Sequence, residues 1–227
     1  KVQNLINSIN YAPLSRAVLE NLHNWVAHGT EPPPSNHPKL ANQTAVSAKS
    51  LKTIFVRIPN SNFPPHVSVP VKMEFGLGKS PEQVTRLPPV AGGPYGSVVA
   101  SVDDDGNETT GVPVPDVSVP LATYTGWNLR HKSSGAPDML AGLTGGLTGS
   151  TIPFPATREE AERTGDPRTS IEERYGSKPE YLALVRKEAG RLVGQRYILE
   201  TEIELLVEQA GNRWDWFIDP HRSVQKK

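Results

Sequence analysis

The 227-residue chain contains no cysteine, which excludes disulfides, thiolate metal sites and thiol nucleophiles. Neither charge is in excess: 24 Lys and Arg face 24 Asp and Glu. A dedicated nucleic-acid or anionic-membrane surface carries a basic surplus, so neither partner is expected. No apolar run approaches the ~18 residues that a transmembrane segment needs. Lys1 does not open a charged-then-apolar leader, and the chain is read as a fragment of a longer protein.

What is abundant is proline. There are 22, about twice the usual ~5%. Nineteen lie between Glu31 and Pro167 and none between Glu180 and Asp219. Proline fixes φ and removes a backbone donor, so the middle cannot be rich in helix. Three segments result: 1–30, 31–155 and 156–227. In the first, Leu14, Val18, Leu22, Trp25 and Val26 recur at helical spacing and predict a helix over 13–28, with Pro13 in its first turn and Gly29 as its stop. In the second, β-branched runs bounded by Pro, Gly and Asn predict short strands over 54–58, 67–75, 96–102 and 112–119. Asp105-Gly106 predicts a hairpin turn between two of them. The glycine-threonine-leucine near-repeat over 142–149 reads as a flexible loop.

The third segment holds 27 of the 48 charged residues. Ser177 and Glu180 form a candidate capping box. After it, Tyr181, Val185, Ala189, Leu192, Leu199, Ile203, Leu206 and Ala210 predict one helix of about 30 residues, a break at Gly190 or Gly194 being allowed. Such a stripe packs against a core or a partner. Ser170 and Glu173 can form a second box if Ser170 is the cap.

Several constellations weigh a chemical reading against a structural one. Asp103, Asp105 and Asn107 alternate as calcium ligands do, yet Gly106 and Val114 stand where an EF-hand pattern fails; a hairpin turn is the structural reading. Gly76-Leu77-Gly78-Lys79-Ser80 lacks the first glycine of a phosphate loop, since Met73 holds that place. Tyr124, Trp127, Asn128 and Arg130 group aromatic, amide and guanidinium chemistry around Gly126. They could line a substrate cleft, or form a packed corner with Arg130 paired to an acid of the third segment. His23 and His28 read as solvated or packing histidines. Asn42-Gln43-Thr44 and Asn107-Glu108-Thr109 fit the glycosylation sequon.

Five segments together carry a family resemblance: Asp103-Asp104-Asp105-Gly106-Asn107-Glu108, the run from Pro120-Leu121-Ala122 through Tyr124-Thr125-Gly126-Trp127-Asn128-Leu129-Arg130, Gly149-Ser150-Thr151-Ile152-Pro153-Phe154, Gly165-Asp166-Pro167-Arg168 and Ile171-Glu172-Glu173-Arg174-Tyr175. They resemble the C-terminal region of alpha/beta hydrolase domain-containing proteins. The resemblance implies an α+β fragment: the last helix of a hydrolase core over 1–30, a proline-rich β/loop accessory region over 31–155 and a helical region over 156–227. It implies a parent that hydrolyses small-molecule carboxylic esters through serine, histidine and acid, without a cofactor. The 142–149 stretch is longer than the family pattern, so a cleft or lid would differ there. The nucleophile elbow of that fold is Gly-x-Ser-x-Gly. Ser97 and Ser150 each follow a glycine, but Tyr95 and Thr148 stand where the first glycine belongs. The elbow and its histidine are therefore expected upstream of Lys1, and the chain is expected to pack on a hydrolase core outside it. The other reading is a self-contained binding or structural module that offers its long helix to a partner.

Overall fold

The structure is a computed structural model describing residues 1–65, 69–78, 80, 82–142 and 148–219. Val67 of the expected 67–75 strand, Lys79 and Pro81 beside the phosphate-loop look-alike, 143–147 of the glycine-rich stretch, and 220–227 lie outside the described residues.

A three-stranded sheet sits at the centre. β1 (Leu5–Ile6) pairs with β7 (Ser150–Pro153), and β7 with β6 (Ala122–Thr125). Leu5 lies opposite Thr151, and Thr151 opposite Tyr124. Two separate two-stranded ribbons are formed by β2 (Ala45–Val46) with β5 (Val99–Ala100) and by β3 (Val71–Glu74) with β4 (Val90–Pro94). Every pairing among the described strands is antiparallel.

α1 (Ala12–His28) matches the expected helix, and Gly29 ends it at φ 69°. There the Gly29 N–H donates to the Trp25 carbonyl and the Thr30 N–H to that of Asn24, the left-handed stop that glycine permits. The side of α1 turned inward is unexpected. Pro13, Ala17 and Asn21 are buried, Asn21 donating to the Arg196 carbonyl at 2.8 Å. Arg16 grips the buried Glu202 with both donors, and this holds the Glu202 carboxyl below its ordinary value. Of the predicted apolar face only Leu14 reaches the core; Val18 is 63% and Val26 80% exposed, with Leu22 and Trp25 half exposed. Each large apolar side chain left in water forgoes about 1.5–3 kcal/mol of burial. The chain should therefore bind a hydrophobic dye and self-associate. Leu19→Glu with Val26→Glu should abolish both while leaving the melting temperature within a few degrees. A sedimentation profile of clean monomer without dye binding would contradict this.

Two expected strands are helical. Residues 54 and 55 end α2 (Ala48–Phe55) and 56–58 form the turn after it, because Leu51, Phe55 and Ile58 follow a helical period and pack together, overriding the β preference of Ile54 and Val56. Within 112–119 lies α3 (Pro115–Ser118), since Pro113 and Pro115 cannot donate to a ladder and Pro115 suits a first helical turn. The hairpin turn forms as expected. Val102 bridges Glu108, the Asp103 N–H donates to the Asn107 carbonyl, and Gly106 takes φ 83°. A Cβ at Gly106 would stand 2.9 Å from Thr123 and 3.1 Å from the Phe55 ring, so the position excludes side chains twice over.

The single long helix is corrected to a helical hairpin, α6 (Lys178–Gly194) and α7 (Ile203–Ile218). After Gly194 the chain turns through Arg196 at φ 62°, and the Tyr197 N–H caps the Leu192 carbonyl. Gln195 and Arg196 interrupt the apolar stripe at that point, which lets the chain reverse. Ser177 caps the Glu180 N–H, but the reciprocal bond is not made. Ser170 and Glu173, by contrast, form a full capping box at α5 (Ile171–Arg174). α4 (Arg158–Thr164) precedes it, capped by Thr157.

The hairpin's stripe turns inward. Tyr181, Val185, Ala210 and Phe217 join Leu121, Ala122, Tyr124, Phe154, Ile171 and Tyr175 in the main core. Tyr181 stacks on Trp214 at 5.1 Å and meets Tyr175 edge-on at 5.0 Å, and the Tyr175 hydroxyl donates to the Pro120 carbonyl. No helix among the described residues is long and apolar enough to cross a membrane.

Candidate functional site

A second, smaller cluster lies on the other face of the sheet, where Phe55 and Ile58 meet Ile152 and are joined by Leu51, Phe63, Val102 and Trp127. Three rings make its frame. Trp127 meets Phe55 at 5.3 Å and Phe63 at 5.9 Å, both near-perpendicular, and Phe55 and Phe63 lie 5.9 Å apart. Edge-to-face contacts of this kind fix ring orientation beyond mere burial. The rings open onto a pocket of about 290 Å³ whose wall is mostly apolar, with Glu108 and Thr125 as its polar members.

The fold holds this wall rigidly. The Trp127 carbonyl receives hydrogen bonds from both the Thr125 hydroxyl and the buried Ser150 hydroxyl. Asn107 is buried at the opposite rim, its Nδ2 donating to the Ala122 carbonyl at 3.1 Å and its Oδ1 accepting from the Tyr124 N–H at 2.8 Å. Glu108 follows directly and is a lining residue of the pocket. Its carboxyl is pushed above the ordinary value because the wall strips water from it.

Of the four expected cleft residues, two reach the pocket. Trp127 supplies a ring, while Tyr124 borders it with β6 and keeps its own ring in the main core. Asn128 is fully buried and ties the N-terminal strand to the corner, donating to the Asn4 and Gly149 carbonyls and accepting from the Asn4 N–H. Arg130 donates to the Ser134 carbonyl rather than pairing with an acid of 156–227. Neither Asn128 nor Arg130 lines the pocket. Phe55, Phe63 and Glu108 were not among the expected residues.

The acidic turn has the hairpin role. Asp103 Oδ1 accepts the N–H groups of Asp105 and Asn107, while Asp105 pairs with Arg174 at 2.6 Å. Burial raises the Asp103 carboxyl despite those two hydrogen bonds. No group of three metal-capable side chains occurs among the described residues. Calcium titrated into the protein should bind no tighter than about millimolar. Micromolar heat that vanishes in Asp105→Ala would overturn that. The Asn107 sequon is closed by the burial of its amide, whereas Asn42 is exposed.

Nucleophile geometry is a separate matter. Ser150 is fully buried and its hydroxyl is held by the Trp127 carbonyl. Ser97 is exposed on a loop. His131 Nδ1 lies 2.7 Å from the Ser133 hydroxyl, but the same ring nitrogen accepts the Ser133 N–H, which makes the contact a cap on a short 3₁₀ turn. His23 and His28 meet edge-to-face at the exposed end of α1. Ser150 and the Ser133–His131 pair thus serve as structural donors and caps rather than as an activated nucleophile.

The family model described as "Alpha/beta hydrolase domain" matches residues 1–208. No curated protein and no solved structure is significantly similar to the chain. A match over that span takes in the whole sheet, the aromatic pocket and most of the helical hairpin, and the chain belongs to the alpha/beta hydrolase domain family.

Proposed function

We propose that these residues form the substrate-contacting, accessory part of a hydrolase that cleaves carboxylic esters. The serine, histidine and acid come from polypeptide outside the 227 residues. The observation that carries this reading is the aromatic pocket framed by Phe55, Phe63 and Trp127: in a member of a hydrolase family, a rigid apolar cavity of about 290 Å³ suits the acyl or aryl part of a small ester. Its role is to seat that part, exclude water and so position the carbonyl carbon for attack. An oxyanion hole and an activated hydroxyl complete the reaction from the other side.

The uncovered face of α1 supports the same reading. Val18, Leu22 and Trp25, together with Pro32, Pro33 and Pro34, line a groove of about 510 Å³. A hydrolase core seated there would bury it. Under this reading 1–30 is the helix that docks on the core, 31–155 the accessory region bearing the pocket, and 156–227 the helical support. The alternative of a partner-binding long helix loses its surface, because Tyr181, Val185, Ala189 and Leu192 are buried within the chain.

The test is a fluorophosphonate probe together with short activated esters. The chain by itself should show neither labelling nor turnover. A labelled serine within these residues whose substitution abolishes turnover would overturn the proposal, with Ser97, Ser133 and Ser150 the first to examine.

A further inference from the structure

We propose that the aromatic pocket selects ligands whose apolar body carries a single positive charge, an aryl- or alkyl-ammonium, with Glu108 at the mouth as the counter-charge. The inference rests on the ligand-seating role proposed for that pocket.

Among the described residues of the pocket wall, Glu108 is the only acid or base apart from the tyrosine Tyr124, whose ring is turned into the main core. Two other acids of this region are already paired, Asp105 with Arg174 and Asp116 with Arg213. No ion pair engages the Glu108 carboxylate among the described residues. Its charge is felt instead at Tyr11, whose hydroxyl is raised first by burial and then by Glu108.

Position and chemistry agree. The backbone of Glu108 is held by the bridge to Val102 and by the buried amide of Asn107. The backbone at Glu108 is thus anchored, and its solvent-exposed side chain forms part of the pocket wall. A neutral apolar ligand leaves it unpaired and further dehydrated, and an anionic one repels it. An ammonium pairs with it, while the apolar wall takes up the body of the ligand. Charge complementarity at a pocket mouth decides between ligands of one shape more than it decides total affinity.

The experiment compares three probes of one shape: 3-phenylpropylammonium, 3-phenylpropan-1-ol and 3-phenylpropionate. Binding is followed at the Trp127 indole resonance of the 15N-labelled chain. The ammonium should bind about fivefold tighter than the alcohol, the scale a partly exposed ion pair supports, and the carboxylate should bind weakest. Glu108→Gln, isosteric and at the surface, should bring the ammonium down to the alcohol's affinity. Equal binding of ammonium and alcohol, or a preference that persists in Glu108→Gln, would overturn the charge selection while leaving the pocket's role intact. Failure of all three probes to move the Trp127 resonance would overturn the pocket's role and this inference with it.

Discussion

Replacing Arg168 with alanine is expected to lower the stability of the fold by about 4 kcal/mol, measured by urea denaturation. The guanidinium is buried and fully used. Its Nε and Nη2 grip both oxygens of the buried Asp166, Nη1 donates to the Ile152 carbonyl and the Thr123 hydroxyl, and Nη2 also reaches the Pro153 carbonyl. Its plane stands 5.0 Å from the Phe154 ring. One side chain thus ties the turn before α5 to two strands of the central sheet. Alanine would leave an uncompensated carboxylate and take the guanidinium donor away from the Ile152 and Pro153 carbonyls and the Thr123 hydroxyl. Arg168→Lys should recover less than half of the loss, because an ammonium cannot reproduce the planar fork. A loss below about 1 kcal/mol for alanine would show that water enters and replaces these bonds.

That network shows where sequence reading stops. Asp166-Pro167-Arg168 is legible as a turn entering a helix, and the Ser170 box next to it forms as the spacing dictates. That the arginine points back across the sheet to Ile152 and Thr123 depends on contacts 16 and 45 residues away, which no local pattern encodes. The site divides in the same way. Trp127 and the neighbourhood of Tyr124 stand out because aromatic and polar groups cluster there. Phe55 and Phe63 are more than 60 positions distant, Phe55 within a segment that reads as a strand and Phe63 in one that carries no local signal. The β-branched residues Ile54, Val56 and Ile58 point to a strand and conceal the helical set Leu51, Phe55 and Ile58. Glu108 was masked by its place in a turn and a sequon. α1 was located correctly, but its inward side was not, because small and polar residues, Ala17, Asn21 and Arg16, make the contact with the hairpin.

The second large effect is expected at Arg213. Its Nη2 stands 2.7 Å from Oδ1 of Asp116, which is almost wholly buried on α3, and the contact is an ion pair rather than an aligned hydrogen bond. Burial raises the Asp116 carboxyl, and Arg213 draws it back down. The neighbouring Tyr124 and Tyr181 hydroxyls are raised, first by burial and then by the Asp116 charge. Arg213→Met removes the one influence from another described residue that favours the ionised carboxylate, so the Asp116 carboxyl should rise further. A carboxyl whose folded value lies above its unfolded one contributes stability that is fully present below the unfolded value and is lost as pH climbs through the folded value. The variant therefore suffers that loss over a wider span of pH than the native chain. Its deficit should reach about 3–5 kcal/mol near neutrality and shrink to less than half of that at about pH 5, where the proton replaces the missing cation. Adding Asp116→Asn to Arg213→Met should flatten this dependence, since no carboxyl is left to titrate. Urea melts across the pH range decide the matter: a deficit that stays constant from acid to neutral would mean that Asp116 remains ionised without Arg213, and that water rather than the guanidinium compensates its charge.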